Sequence, residues 1–149
     1  MEWLKPFLGQ IVGLDTAPLI YFIEKHPLYF PLLQPFFEAV ERGDIEIVTS
    51  TLTLTEVLIH PLRHGNQVLA RQYSSILLNA SHVETLAVSS FIAIEAARLR
   101  ADYGYKTPDA IQLATAQSSH AAFFVTNDEA LVSVAGLQVV ILKHLLGQP

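Results

Sequence analysis

The chain has 149 residues, no cysteine, 51% hydrophobic residues and a formal net charge of −5. Its length predicts a single domain over residues 1–149, and the lack of cysteine excludes disulfides and thiolate metal sites. The negative charge argues against a large basic surface for nucleic-acid phosphates, but it is compatible with an enzyme that meets phosphate through bound cations.

The mean hydropathy of +0.37 is high and has two explanations. A membrane span needs about 20 mainly apolar residues, and the best uncharged candidate, residues 130–142, is too short and contains Ser133, Gly136 and Gln138. The amino terminus lacks the pattern of a secretory signal. A parallel sheet with both faces buried explains the hydropathy better. We therefore expect a soluble, cytoplasmic protein with no membrane contact.

The first half of the chain alternates short apolar runs with helical patterns. The runs predict strands at residues 11–14 and 45–48, and the periodicity predicts helices at 18–25, 31–42 and 67–79. Ser50 or Thr51 is a candidate amino-terminal cap for a further helix through Leu58, which Pro61 is expected to stop.

The second half continues this alternation. Strands are predicted at residues 83–88, 122–125 and 137–142, and a helix is expected from a Ser89 or Ser90 cap to Ala101. A helix from Thr107 to about Ser118 has Thr107 as its expected cap and Pro108 at its first position. This alternation predicts an α/β three-layer sandwich around a central, mostly parallel sheet of about five strands.

Four acids lie where a predicted strand ends or a predicted helix begins: Asp15, Glu56, Asp109 and Asp128. These positions meet at the carboxyl edge of a parallel sheet, where ligands bind. Singly, three of them have ordinary explanations as helix caps, first-turn acids or turn residues. Glu56 is harder to explain, because it lies in an apolar helix where an unpaired carboxylate is costly.

Four acids brought together repel one another and require a cation. Carboxylate oxygens suit Mg²⁺ or Mn²⁺ better than zinc. Such ions orient and acidify a water for in-line attack on a phosphodiester. The pattern therefore points to metal-dependent phosphodiester hydrolysis.

Four strings carry a family resemblance: IVGLDTAPLIYFIEKHP, TSTLTLTEVLIHPL, YGYKTPDAIQLATAQ and FFVTNDEAL. In order and spacing they resemble the PIN-domain ribonucleases, particularly the VapC-like toxins of toxin–antitoxin pairs. The resemblance implies a PIN-like fold, cleavage of single-stranded RNA with Mg²⁺ or Mn²⁺, a small antitoxin partner and a homodimer.

The resemblance also implies roles for individual residues. All four acids would be catalytic residues. Asp15 and Asp109 would be the principal metal ligands, while Glu56 and Asp128 would bind the ion directly or through water and help to position the nucleophile. The expected supporting residues, which would hydrogen-bond to the carboxylates or to metal waters, are Thr16, Thr126 and Asn127.

Two further features flank this pattern. Three basic residues, Lys106, Arg63 and Arg71, are the candidates for contacts with the RNA backbone. The segment before the first strand contains the apolar residues Trp3, Leu4, Phe7 and Leu8, and it is expected to cover either a hydrophobic face or a dimer interface.

Three alternatives are open at this point. One is a cellular RNA-processing nuclease of the same fold, or one acting on DNA. A second is a phospho-acceptor signalling domain, which normally has two adjacent acids after its first strand, whereas Asp15 is flanked by Leu14 and Thr16. The third is a non-catalytic interaction module in which the acids only cap helices.

Overall fold

A computed structural model describes residues 1–148. Its strands are β1 (Ile11–Leu14), β2 (Glu46–Ser50), β3 (Val83–Leu86), β4 (Phe123–Thr126) and β5 (Gln138–Ile141). They form one five-stranded sheet of order β3-β2-β1-β4-β5, and every neighbouring pair is parallel. The predicted fold class and number of strands are confirmed.

Six α-helices are described: α1 (Thr16–Ile23), α2 (Phe30–Glu41), α3 (Thr51–Arg63), α4 (Gln67–Asn79), α5 (Ser90–Tyr103) and α6 (Thr107–Ser118). Short 3₁₀ segments lie at Glu2–Phe7 and Leu142–Leu145. Within residues 1–148, no helix combines the length and the apolar character that crossing a membrane requires.

The helices cover the sheet on both faces. Successive residues of a strand point to opposite faces, and in β2 the neighbours Ile47 and Val48 accordingly belong to different hydrophobic cores. The Ile47 core is completed by side chains from α1 to α4, such as Tyr73, and the Val48 core by side chains from α5 and α6, such as Leu113. The predicted three-layer arrangement is therefore confirmed.

Gly13 in the central strand allows α6 to lie close to the sheet. A Cβ atom built at Gly13 would be 2.6 Å from the Cβ atom of Ala116 and 2.9 Å from Cδ1 of Phe124. Both distances are shorter than van der Waals contact, so only glycine fits at this position, beside Ala116 of α6 and Phe124 of β4. This packing fixes the position of α6, whose first turn carries Asp109.

The amino-terminal segment is part of the hydrophobic core. Trp3, Leu4 and Phe7 are buried, and the Phe7 ring centroid lies 4.6 Å from that of Phe123. Leu8, in contrast, is exposed. The expectation that this segment covers a hydrophobic face is confirmed.

The prediction that Pro61 stops a helix at Leu58 is wrong. Helix α3 continues through Pro61 to Arg63, and the N–H of His64 still donates to the His60 carbonyl oxygen at 3.1 Å. A proline removes one intrahelical hydrogen bond. The burial of the Pro61 ring against the core offsets this loss.

The predicted cap of α6 is also corrected. Thr107 is the first helical residue, and the capping position belongs to Lys106, whose side chain makes no capping hydrogen bond. Pro108 is accordingly the second helical residue and not the first as predicted, and in this first turn its missing N–H removes no intrahelical bond.

Candidate active site

Asp15 lies at the carboxyl end of the central strand, beside the end of β4. Strands β1 and β4 pair Leu14 with Val125, so the residues that follow them, Asp15 and Thr126, lie side by side. The Thr126 hydroxyl donates to Asp15 Oδ2 at 2.7 Å, and the Thr16 N–H donates to Asp15 Oδ1 at 2.9 Å. Asp15 is therefore the cap of α1 and also a carboxylate held in one orientation at the sheet edge.

Asp128 is connected to Asp15 through Thr126. The Asp128 N–H donates to Thr126 Oγ1 at 3.1 Å, so this buried hydroxyl contacts the backbone of one acid and the carboxylate of the other. Asp128 Oδ1 accepts from the Ala130 N–H at 2.9 Å, which closes the turn after β4. The side chain of Asp128 thus has the predicted turn role and lies on the same edge as Asp15.

Glu56 is connected to Asp15 through Thr16. The Thr16 hydroxyl donates to Glu56 Oε1 at 2.7 Å, across 40 residues of sequence. Since Thr16 directly follows Asp15, this hydrogen bond brings the acid on α3 to the end of β1. The half-buried Glu56 carboxylate has the partner that its apolar helix requires.

Asp109 completes the group from the first turn of α6. Its partial burial raises its pKa, and the negative charges of Asp15, Asp128 and Glu56 raise it further, against the opposing charge of Lys106. Burial likewise raises the pKa of Asp15, against the hydrogen bonds from Thr126 and Thr16, and the charges of Glu56 and Asp128 add to that rise. Asp15 and Asp109 therefore lie within electrostatic reach of each other and of the other two predicted acids.

The chemistry of this group fits a hard divalent cation. Within residues 1–148, no three Asp, Glu, His or Cys side chains are grouped closely enough to hold an ion as they stand. The donors are nevertheless all carboxylates, and their mutual repulsion is the situation that a divalent cation relieves. Binding would require the four side chains to close around the ion. The donor type and the charge fit Mg²⁺ or Mn²⁺.

Asn127 does not contact the acids. Its Nδ2 donates to the Tyr21 hydroxyl at 3.4 Å, and its Oδ1 accepts from the Lys143 N–H at 2.9 Å. Side chains alternate along an extended chain, so Thr126 and Asp128 face the acids while Asn127 faces the other way. Asn127 thus makes none of the predicted hydrogen bonds to the carboxylates, whereas the hydroxyls of Thr16 and Thr126 each bind one. The predicted contact of Asn127 with metal-bound waters stays a prediction.

The three basic candidates lie in different places. Lys106 is exposed at the start of α6, and its charge acts on Asp109. Arg63 lies at the far end of α3, about two turns beyond Glu56. Arg71 lies on α4 and donates to Gln67 Oε1 at 3.3 Å. Lys106 thus lies at the start of the helix that carries Asp109, whereas Arg63 lies on the helix that carries Glu56 and Arg71 lies on the next one.

A buried polar group beneath the acids was missed by the sequence reasoning. Gln112 bonds to Ser50 and Thr53, and the Thr49 hydroxyl lies 2.9 Å from Thr53 Oγ1. Ser50 was predicted only as the cap of α3, which is confirmed by its acceptance of the Leu52 N–H at 3.2 Å. The available signal was Gln112 itself, a long polar side chain among the apolar and small residues 110–116 of α6.

A family model described as the PIN domain matches residues 12–137. No curated protein matches the chain.

Several solved structures share the fold. VapBC2 from Rickettsia felis, bound to a promoter DNA fragment, matches at 19% identity with a TM-score of 0.66, over 88% of this chain and 98% of that one. A toxin–antitoxin complex from Klebsiella pneumoniae matches at 23% identity with a TM-score of 0.66, over 90% of this chain and 98% of that one. FitAcB from Neisseria gonorrhoeae matches at 18% identity with a TM-score of 0.64, over 91% of this chain and 99% of that one. At such identities the likeness concerns the fold.

Proposed function

Because this chain belongs to the PIN-domain family, we propose that it is a metal-dependent endoribonuclease that cleaves single-stranded RNA. The observation that carries this proposal is the meeting of four acids from distant parts of the sequence at the carboxyl edge of the sheet. Asp15 and Asp109 have raised pKa values, in part because each lies among the other acids. Acids that only capped helices would have no reason to be brought together in this way.

Each acid has a role in the proposed site. Asp15 and Asp109 would be the principal ligands of Mg²⁺ or Mn²⁺, and Glu56 and Asp128 would bind the ion directly or through water. When bound, the ion supplies an acidified, oriented water and stabilises the leaving oxygen. Thr126 fixes the orientation of Asp15 through Oδ2.

Thr16 has a corresponding role at the second acid. It holds Glu56 by Oε1, which leaves Oε2 to serve as a ligand. Lys106, exposed beside Asp109, is positioned to contact a phosphate of the substrate.

We further propose that the protein is the toxin of a toxin–antitoxin pair, held inactive in the cytoplasm by a small antitoxin protein and acting as a homodimer. Support comes from the solved structures of the same fold, which include the toxin–antitoxin complex from Klebsiella pneumoniae and two DNA-bound VapBC structures. A cellular RNA-processing nuclease would have the same acids. Growth arrest on expression of the chain alone, relieved by its neighbouring gene product, separates the two roles.

A phospho-acceptor domain is not favoured. The Nζ of Lys143, the lysine that follows the last strand, pairs with Glu129 Oε1 at 3.0 Å rather than with Asp15 or Asp109. Asp15 also lacks an adjacent acid. Both features differ from what such a domain requires.

The proposal is tested by removing one carboxylate charge at a time. Asp15→Asn and Asp109→Asn should each lower Mn²⁺-dependent cleavage of a single-stranded RNA pool by about a hundredfold or more, with an unchanged circular dichroism spectrum. The matched control is Asp44→Asn, because Asp44 is exposed, pairs with Arg42 at 3.0 Å and precedes β2 at the opposite edge of the sheet. It should cleave like the wild type.

Two outcomes would contradict the proposal. One is wild-type protein that cuts no RNA with either metal, and the other is cleavage unaffected by the two substitutions. A parallel assay with single-stranded DNA tests the choice of nucleic acid.

A further inference from the structure

Gln112 is a buried amide with partners on another helix. Only 3% of its surface is exposed, and a buried amide without partners destabilises a fold. The Ser50 hydroxyl donates to its Oε1 at 2.8 Å, and its Nε2 donates to the Thr53 hydroxyl. Ser50 caps α3 and Thr53 lies in the first turn of that helix. Gln112 therefore joins α6 to the beginning of α3.

The joint lies one helical turn from two of the acids. Gln112 follows Asp109 by three residues on α6, and Thr53 precedes Glu56 by three residues on α3. Residues three apart in a helix lie on the same face. The helices that the amide joins are thus the two that carry Glu56 and Asp109, and it joins them on the faces that carry these acids.

The joint also reaches the end of the central strand. Thr53 Oγ1 lies 3.2 Å from the Thr16 hydroxyl, which donates to Glu56, and 2.9 Å from the Thr49 hydroxyl. Thr49 in turn donates to the Leu14 carbonyl oxygen at 2.9 Å. One buried cluster of hydroxyls and an amide therefore contacts α3, α6 and the residues on both sides of Asp15.

We propose that Gln112 is a positioning residue that, through Ser50 and Thr53, sets the separation of the Glu56 and Asp109 carboxylates and thereby the affinity for a divalent cation. The inference rests on the proposed function, because it assigns these two acids to one ion. A glutamine with a purely structural role would affect the stability of the fold, whereas a positioning residue also changes metal affinity in the folded protein.

The test compares variants at Thr53 and Gln112. Thr53→Val keeps the shape of the side chain but removes the acceptor for Nε2 of Gln112, and Gln112→Leu removes the amide. Calorimetric titration with Mn²⁺, at a temperature where circular dichroism shows each variant folded, should give a Kd at least about tenfold above the wild-type value. Thr53→Ser keeps the hydroxyl and should restore wild-type affinity.

Thr115→Val is the matched control. Thr115 is a buried threonine of the same helix, three residues beyond Gln112, and its hydroxyl donates only within α6, to the Ile111 carbonyl oxygen at 2.8 Å. This variant should lower thermal stability without changing the Kd for Mn²⁺. The double variant Gln112→Leu/Thr53→Val should bind Mn²⁺ no more weakly than the worse single variant, because both substitutions break the same joint.

The outcomes separate this inference from the proposed function. Folded Thr53→Val that binds Mn²⁺ like the wild type would overturn the positioning role, even where Gln112→Leu fails to fold. In that case, RNA cleavage that is still lost in Asp15→Asn would leave the proposed function intact. Wild-type protein that binds no Mn²⁺ would overturn both.

Discussion

At the residue scale, the charge of Asp109 works against folding when no cation is present. Burial and the neighbouring acids raise its pKa above the ordinary aspartate value, so the folded chain binds this proton more tightly than the unfolded chain. Between the ordinary and the raised pKa, the free energy of unfolding therefore falls as pH rises. Above the raised pKa, the destabilisation is fully present.

Asp109→Asn should consequently stabilise the metal-free protein, relative to the wild type, more at pH 7 than at pH 3.5. The substitution removes a charge that the neighbouring acids repel. The stability gained by relieving this repulsion should exceed the stability lost when the charge no longer interacts with the amino terminus of α6. Urea unfolding in EDTA, across this pH range, measures the difference between variant and wild type. A difference that is independent of pH would contradict the explanation. The control is Asp44→Asn, which removes a carboxylate that lies beside the cation of Arg42 and not among other acids.

The four acids could be recognised from the sequence because each lies at a strand end or in the first turns of a helix, and parallel strands bring such positions to one edge. Gln112 could not, since a glutamine in a helix is ordinarily on its exposed face. Only the tertiary packing of α6 shows that this face is buried against α3. The direction of the Asn127 side chain likewise depends on the conformation of the turn after β4.

At the element scale, the contact between α6 and the central strand depends on Gly13. Gly13→Ala should lower the free energy of unfolding by about 1–3 kcal/mol or more, because the new methyl group would lie 2.6 Å from Ala116 Cβ. Urea unfolding measures the loss. A variant as stable as the wild type would show that α6 can move away from the sheet at no cost.

Ala116→Gly provides the matched second change. Alone it should lower the free energy of unfolding by roughly 1 kcal/mol, because glycine has a lower helix propensity than alanine. Combined with Gly13→Ala, it removes the closest contact, so the double variant should lose less stability than the sum of the two single changes. Its remaining deficit would come from Phe124, 2.9 Å from the added atom.

Elements were predictable where one local signal determined them. Strand β1 and helix α4 have the predicted bounds, because turn residues flank a short apolar run and a regular amphipathic pattern. Pro61 misled the prediction, because the burial of its ring in the folded protein offsets the hydrogen bond that a proline removes. The one-residue error at Thr107 reflects a helix whose capping position uses no side-chain hydrogen bond.

At the scale of the whole molecule, cation binding and folding should be linked. An ion that binds only the folded chain raises the free energy of unfolding by about 2.7 kcal/mol when its concentration is 100 times its Kd. For a chain of this size that corresponds to a rise in Tm of roughly 5–10 °C. Differential scanning calorimetry with Mg²⁺ or Mn²⁺ measures the rise.

The double variant Asp15→Asn/Asp109→Asn is the control for this linkage. It lacks both principal ligands and should show no rise in Tm with either ion. An equal rise in this variant would place the cation elsewhere on the molecule, and no rise in the wild type would count against a shared site.

The pairing of β1 with β4 has a consequence for protein synthesis. Asp15 and Thr126, which meet through one hydrogen bond, are 111 residues apart in the chain, and amino-terminal parts of a chain leave the ribosome first. A nascent chain that has not yet released β4 has Asp15 without Thr126 or Asp128 beside it. If the protein cuts RNA as proposed, its site is incomplete, and the message being translated is spared, until the chain has emerged from the ribosome as far as Asp128.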